Sequence, residues 1–394
     1  MTKQKGATSV LVISTLAMVV AFTCWAAISP LAVLLQKTYH LSATQKSILV
    51  AIPVLLGSVM RIPLGMATDR FGGRKVYSLL MLFLVIPAIG LANAHSYMAY
   101  VGWAFLLGMA GTSFAVGIAS VSKWYPPNEQ GLVLGITGMG NIGTAVAGFA
   151  LPTIAKTSGI SSAFWALVAP VVIAAVAIFL FTKDPVVSKK AQPASQQFAV
   201  MKNKMVWVLS LFYFVTFGGF VAFGNYLPSL LVDVFKITPI DAGMRAAGFV
   251  VLATLVRPIG GYLADKFGAS KMLSLIFILL SACALILSVA LSNIIAMTIA
   301  CLLTAALVGI GNGTVFKLVP QYFPTTTGIV TGIVGAAGGI GGFFPPIVMG
   351  IIKDATGGYA LGFVFLLVFT FSCLLVNGKL RRSAPNNIKM SSAS

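Results

Sequence analysis

The chain has 394 residues, 58% of them hydrophobic, and carries 26 Lys and Arg against 7 Asp and Glu, a formal net charge of +19. Charged residues make up 8% of the sequence, where a soluble domain holds roughly 25%. With apolar runs of about 18 or more residues recurring along the whole length, this composition excludes a cytosolic enzyme, a disulfide-stapled secreted scaffold and a β-barrel, whose strands alternate every second residue.

In chain order the apolar runs fall at 10–35, 47–68, 76–93, 98–122, 132–152, 163–182, 206–228, 243–264, 272–291, 294–316, 328–351 and 359–378. Each is long enough to cross a hydrocarbon core about 30 Å thick as a helix. The prediction is an all-α polytopic membrane protein with twelve transmembrane helices. Lys3 and Lys5 ahead of the first run resemble a signal peptide, but that run exceeds an h-region and further spans follow, so it is expected to be retained. Placing both termini in the cytoplasm puts eighteen basic residues in inner loops and six in outer ones. The excess positive charge is thus read as the positive-inside rule, not as a nucleic-acid surface.

Cys24, Cys283, Cys301 and Cys373 lie inside apolar runs without metal-ligand spacing, and His40 and His95 lie in loops. No metal, cofactor or nucleic-acid partner is expected, and no His, Cys or carboxylate constellation lies within the spans to support an enzyme. All seven acids, including Asp69 and Asp265, map to loops or helix ends.

The longest polar segment, 183–205, contains two prolines and several lysines and reads as a cytoplasmic linker. It separates an N-terminal six-helix bundle, 1–182, from a C-terminal one, 206–378, with 379–394 as a cytoplasmic tail. RIPLGMATDRFG from Arg61 aligns with RPIGGYLADKFG from Arg257 with five identities, and Lys75 with Lys271 makes six matches at one offset of 196 residues, close to half the chain. A duplicated six-helix unit with a site between its halves is the repeat logic of secondary transporters.

The Gly-x-x-x-Asp-Arg/Lys-Phe-Gly loop after spans two and eight resembles the signature loop of the major facilitator superfamily. Within it, GMGNIGTAVAGFALP at 138–152, GNGTVFKLVPQYFP at 311–324 and GAAGGIGGFFPP at 335–346 are similar to the nitrate/nitrite porter family.

Arg61 and Arg257 each lie eight residues before an Asp, which places them roughly 12 Å inside the membrane. A central arginine persists only where it faces a cavity or a partner. No carboxylate is at hand, so these two either find backbone carbonyls or form an anion site whose planar forked donors match an oxyanion. The resemblance implies the latter, a clamp on nitrate or nitrite.

Asn141 is a lone mid-span amide that must find a partner; the resemblance makes it a substrate contact, the alternative being an interhelical hydrogen bond. Gly138, Gly140 and Gly143 in span five and Gly338, Gly339 and Gly341 in span eleven are expected to permit close helix packing. Tyr213 and Phe217, four apart, share one helix face. The resemblance implies that they line the site, with Phe114 as a second wall.

Lys123 and Lys317, each followed by prolines at the inner face, are read as snorkelling anchors or as anion attractors in an inner vestibule. Asp69 with Arg70, and Asp265 with Lys266, are expected to act as conformational latches between helix ends.

The function expected is exchange of nitrate and nitrite by alternating access. A proton-coupled nitrate symporter, a nitrite extruder, an organic-anion antiporter of the oxalate/formate type and a non-transporting nutrient sensor are the alternatives. The resemblance implies a monomer in a prokaryotic inner membrane.

Overall fold

The structure, a computed structural model, describes residues 6–41, 43–184 and 199–383. Among the described residues there is no strand, and twelve helical spans, from Ala7–Ala32 to Ala360–Arg381, are long and apolar enough to cross a membrane. The chain is a multi-pass membrane protein of two pseudo-symmetric six-helix bundles. An even number of crossings returns the chain to its starting side, here termed the terminal face.

Burial decides which spans line the centre. Span four buries 83% of its most apolar window and span eleven 78%, against 22% for span twelve. Leu79, Ile173, Leu275 and Phe365, on spans three, six, nine and twelve, are at least half exposed. Such apolar faces would aggregate in water, but they match hydrocarbon and so define the lipid boundary.

Spans two and eight are each interrupted by a single residue. Helices Ala43–Val59 and Arg61–Phe71 meet at Met60, and Pro239–Leu255 and Arg257–Phe267 meet at Val256. Pro63 and Pro258 cause this, since neither offers an N–H to the carbonyl one turn back. Both arginines therefore stand at a helix start in the middle of the membrane. Spans four and five contain 3-10 turns, Gly108–Thr112 and Met139–Ile142, again at mid-depth. Gly72 and Gly268, which end the repeated loop, have φ of 90° and 88°, a conformation that side-chain-bearing residues rarely adopt.

Much of the expected linker and tail, 185–198 and 384–394, lies outside the described residues. Where the chain is described, helix extends into both: Lys204–Phe235 begins before 206 and Ala360–Ser383 continues past 378. Hydropathy marks where lipid contact stops, whereas the helix continues through basic residues that remain solvated. At the opposite face Asp233 accepts from Lys353 Nζ and, at 2.6 Å, from the Tyr359 hydroxyl, clasping spans seven, eleven and twelve. The Lys353 ammonium, and then the tyrosine, hold the Asp233 carboxyl below its ordinary range.

The bundles touch tightly at the terminal face, where Gly65 lies against the Gly328 carbonyl and Gly131 against the Gly261 carbonyl. A side chain at any of these four positions would collide with backbone. Gly328→Val is therefore expected to part spans two and eleven. In a background lacking the four native cysteines, Thr68→Cys, buried in the parent, should become reactive to an aqueous maleimide only when Gly328→Val is added. Equal labelling rates with and without Gly328→Val would show that this contact does not close the face.

Candidate functional site

Arg61 and Arg257 each begin an eleven-residue helix that runs to the terminal face, a rise of about 15 Å, or half the hydrocarbon core. They are 0% and 2% exposed. Although they belong to different bundles, both lie against the same two rings, Phe114 of span four and Phe217 of span seven. The Arg61 Cζ is 5.6 and 5.3 Å from the two centroids, and the Arg257 Cζ 5.7 and 5.9 Å. Cation–π contacts of about 0.5–2 kcal/mol each offset a mid-membrane arginine's cost of about 2.5–3.5 kcal/mol.

The two guanidiniums differ in how far their donors are used. Arg61 donates from Nε to the Gly111 carbonyl at 3.0 Å and from Nη1 to the Gly335 carbonyl of the other bundle, leaving Nη2 without a partner. Arg257 donates only from Nη2, to the Tyr213 hydroxyl at 3.2 Å, and its Nε and Nη1 are unpaired. Neither forms an ion pair among the described residues.

Each arginine is seated on glycines of the opposite bundle. A Cβ on Gly335 would stand 3.1 Å from Arg61 Cδ, and one on Gly332 2.8 Å from Ile62 Cα. On the other side, a Cβ on Gly138 would stand 2.9 Å from Arg257 Nε, and one on Gly135 2.7 Å from Pro258 Cα. Gly138, expected only to pack helices, thus makes room for a guanidinium. Gly140 and Gly143 press on span one at Met18 and Val19, Gly338 on the Tyr213 ring, Gly339 on the Ser58 hydroxyl and Gly341 on the Phe214 carbonyl.

The aromatic residues form one stack. Tyr213 and Phe217 lie 4.9 Å apart and nearly parallel, as four-residue spacing on one helix face requires. Phe114 faces Phe217 at 6.1 Å and 24°. Phe316 of span ten closes the group edge-on, 4.8 Å from Phe114 and 4.6 Å from Tyr213. Asn141, one helical turn beyond Gly138, is fully buried with neither amide atom paired.

At the terminal face the acids and lysines combine differently from the sequence expectation. Asp69 pairs with Lys123 at 3.0 Å and accepts from the Ile329 N–H of the other bundle at 3.2 Å. Asp265 pairs with Lys317 at 2.5 Å and accepts from Gly131 and Leu132 N–H, again across the bundles, at 3.3 and 3.0 Å. Both carboxylates thereby occupy helix N-termini, where free N–H groups and the helix dipole favour an anion. Lys317 also donates to the Pro127 carbonyl of the N-terminal bundle.

Lys123 and Lys317 therefore belong to the contacts that join the bundles at the terminal face and do not line an inner vestibule in this conformation. Among the described residues, Arg70 and Lys266 take no part in the contact. One residue beyond the acid, a helix turns by 100°, and both basic side chains are exposed over Phe71 and Phe267. The open space lies toward the opposite face, a cavity of about 190 Å³ between the bundles that is lined by Trp25, Val54, Thr144, Phe220, Asn225 and Ala246 among others.

Sequence reasoning missed Phe316 and Asn312, although both stand in the glycine-rich motif around Lys317. The signal for Asn312 was the one that singled out Asn141, a lone amide in the middle of a span. Phe316 carried no signal, because an aromatic ring in an apolar helix reads as packing.

The family model described as Major Facilitator Superfamily matches residues 14–344 and 209–392. The chain belongs to the major facilitator superfamily. Within the superfamily it is 43% identical over 354 residues to the nitrite extrusion protein of Bacillus subtilis, covering 90% of this chain and 89% of that one. It is 40% identical to a Staphylococcus epidermidis protein named "Probable nitrate transporter NarT", over 95% and 96% of the two chains. These similarities place it in the nitrate/nitrite porter family. The fold of the human organic anion transporter MFSD10 superposes with a TM-score of 0.82 at 13% identity, over 95% of this chain and 100% of that one. The proton:xylose symporter XylE gives 0.77 at 15%, over 95% of each chain.

The gate geometry separates two contributions of Asp265. Asp265→Asn keeps an acceptor for Gly131 and Leu132 but strands the Lys317 charge, while Asp265→Leu removes both interactions. The terminal face is expected to open in both variants, and further in Asp265→Leu, as measured by maleimide labelling of Thr137→Cys. Labelling unchanged from the parent in both would assign closure to glycine packing alone.

Proposed function

We propose that this protein carries nitrate and nitrite across a prokaryotic inner membrane, exchanging one for the other by alternating access. It works as a monomeric transporter, not as an enzyme, with both termini in the cytoplasm. Residues 1–182 and 206–378 are the moving bundles, joined by the linker 183–205. The orientation is supported by the eighteen to six distribution of basic residues, and the substrate by the names of the relatives.

One observation carries the reading. Two buried guanidiniums, one from each bundle, lie against a shared pair of rings, and both keep N–H donors without partners. An anion is the ligand that such donors bind, and the lack of a paired carboxylate among the described residues leaves the position to it. Phe114 and Phe217, stacked 6.1 Å apart, present flat apolar faces beside the guanidiniums, a surface that suits a planar ion better than a tetrahedral one. Tyr213 adds a hydroxyl beside Arg257, and Asn141 an unpaired amide one turn from the glycine on which Arg257 rests.

Exchange follows from electrostatics. Moving the bundles past each other with the site empty keeps two positive charges together in a low-dielectric space, whereas an anion between them removes the repulsion. The loaded carrier therefore switches more readily than the empty one. The cavity between the bundles lies on the opposite face, the side from which the anion enters in this reading, and the Asp69 and Asp265 contacts close the cytoplasmic side until the bundles rock.

Two expected outcomes test this. Arg61→Lys and Arg257→Lys preserve charge but lose the planar fork, so each should weaken nitrate binding by about 1.5–3 kcal/mol, roughly 12- to 160-fold, and suppress transport while the protein still inserts. Near-normal nitrate uptake by either inserted variant would remove that arginine from the binding role. Separately, liposomes loaded with nitrite or nitrate should take up labelled nitrate at least about tenfold faster than empty ones, with little gain from a proton gradient alone. Strong gradient-driven uptake into anion-free liposomes would replace exchange with proton symport.

A further inference from the structure

Span ten places a second unpaired amide beside Arg257. Asn312 lies in the middle of the helix Ile294–Tyr322, is 1% exposed, and has no hydrogen-bond partner at Nδ2 or Oδ1. A buried amide without a partner is destabilising in the folded protein, so its retention in a membrane helix points to a group that pairs with it at some stage of the cycle.

The neighbours of Asn312 fix where it points. Gly311 faces span seven, where a Cβ would stand 2.7 Å from Thr216 Cγ2. Gly313 faces span eight, against the Arg257 carbonyl and 2.9 Å from Gly261 N. Successive helix residues are 100° apart, so Asn312 projects between these two directions, into the wedge where spans seven and eight converge. That wedge holds the hydrogen bond from Arg257 Nη2 to Tyr213. Phe316, four residues on and hence on the same face, touches Phe114 and Tyr213, which confirms the direction.

Its depth is fixed as well. Gly260 of span eight packs on the Ile310 carbonyl, and Thr314 Oγ1 donates to the Gly260 carbonyl at 3.3 Å. These contacts, with that of Gly313 on the Arg257 carbonyl, hold span ten against span eight within one helical turn of Arg257. Asn312 is therefore held rigidly at the level of the arginine with unused Nε and Nη1 donors, and its own Nδ2 donor is unused too.

We infer that Asn312 contacts the transported anion, donating an amide N–H from the C-terminal bundle beside Arg257, as a counterpart to Asn141 in the N-terminal bundle. The inference rests on the nitrate/nitrite reading above. It assigns to the C-terminal bundle a neutral donor that strengthens anion binding without adding a third positive charge to the cavity.

The test is nitrate titration of the purified full chain by calorimetry, with thermal midpoints measured in parallel. Asn312→Ala should weaken nitrate binding by about ten- to a hundredfold. Asn312→Ser, which restores a shorter donor, should recover part of that loss. Asn312→Asp preserves shape but sets an ionisable carboxyl against the anion. Its nitrate affinity should therefore be poor near neutral pH and rise on acidification as that carboxyl takes up a proton, while the parent shows no such dependence. Nitrate stays ionised throughout, so the profile reports the protein.

Unchanged nitrate affinity in Asn312→Ala and Asn312→Asp would overturn the inference. So would an equal loss in both without pH dependence in Asn312→Asp, which would make Asn312 a packing residue. If Asn312→Ala does not fold, the profile of Asn312→Asp decides. A parent protein that binds no nitrate would overturn the functional reading and this inference together, whereas normal parent binding with unaffected variants overturns this inference alone.

Discussion

Two guanidinium groups buried at mid-membrane, with no carboxylate partner among the described residues, are the constraint on which the rest of the structure depends. Such a pair is disfavoured by desolvation and by mutual repulsion, and the surroundings answer both. The faces of Phe114 and Phe217 supply negative quadrupole to each cation. Backbone carbonyls of Gly111 and Gly335 take two donors of Arg61, and a tyrosine hydroxyl takes one of Arg257. What remains is a set of unpaired donors on both arginines, which an anion can satisfy and a neutral packing arrangement does not.

The same constraint explains the glycines. Each arginine belongs to one bundle and rests on span five or span eleven of the other, so the centre of the molecule is an interface. A side chain at Gly135 or Gly332 would collide with backbone beside an arginine, and one at Gly138 or Gly335 would displace the arginine side chain itself. Small residues on these spans let the bundles approach closely, and because no side chains interlock there, they leave the bundles free to part. The hydrogen bond from Arg61 to the Gly335 carbonyl crosses that interface, so the state of the site and the relation of the bundles are mechanically joined.

Closure of the terminal face uses the same economy of parts. Asp69 and Asp265 each accept backbone N–H groups at a helix start in the opposite bundle and are neutralised by a lysine of their own, Lys123 and Lys317. These contacts combine charge with helix-end geometry and involve few groups, which suits the proposed opening and re-forming of this face. The two halves of this closure are related by the sequence duplication, yet the arginine pair at the centre is not symmetric. Arg61 is largely satisfied by backbone and Arg257 is not, and span ten, which carries the unpaired amide Asn312, packs on the Arg257 carbonyl through Gly313.

The sequence by itself determined the twelve spans, the duplication, and the depth of Arg61 and Arg257, because hydropathy and the offset of 196 residues are local or linear properties of the chain. It also determined that Tyr213 and Phe217 share a face, since helix periodicity requires it. Which residues meet across the bundles was decided only by tertiary structure. Periodicity orients Asp69 on its own helix, but nothing in it names Lys123 and Ile329 as partners, or leaves Arg70 outside the contact. Likewise no linear pattern separates Phe316 from the other aromatic residues of apolar spans, or shows that Gly138 accommodates a guanidinium and Gly140 a methionine. Those distinctions arise where helices far apart in sequence are brought within van der Waals contact, and the relative placement of the two bundles sets them.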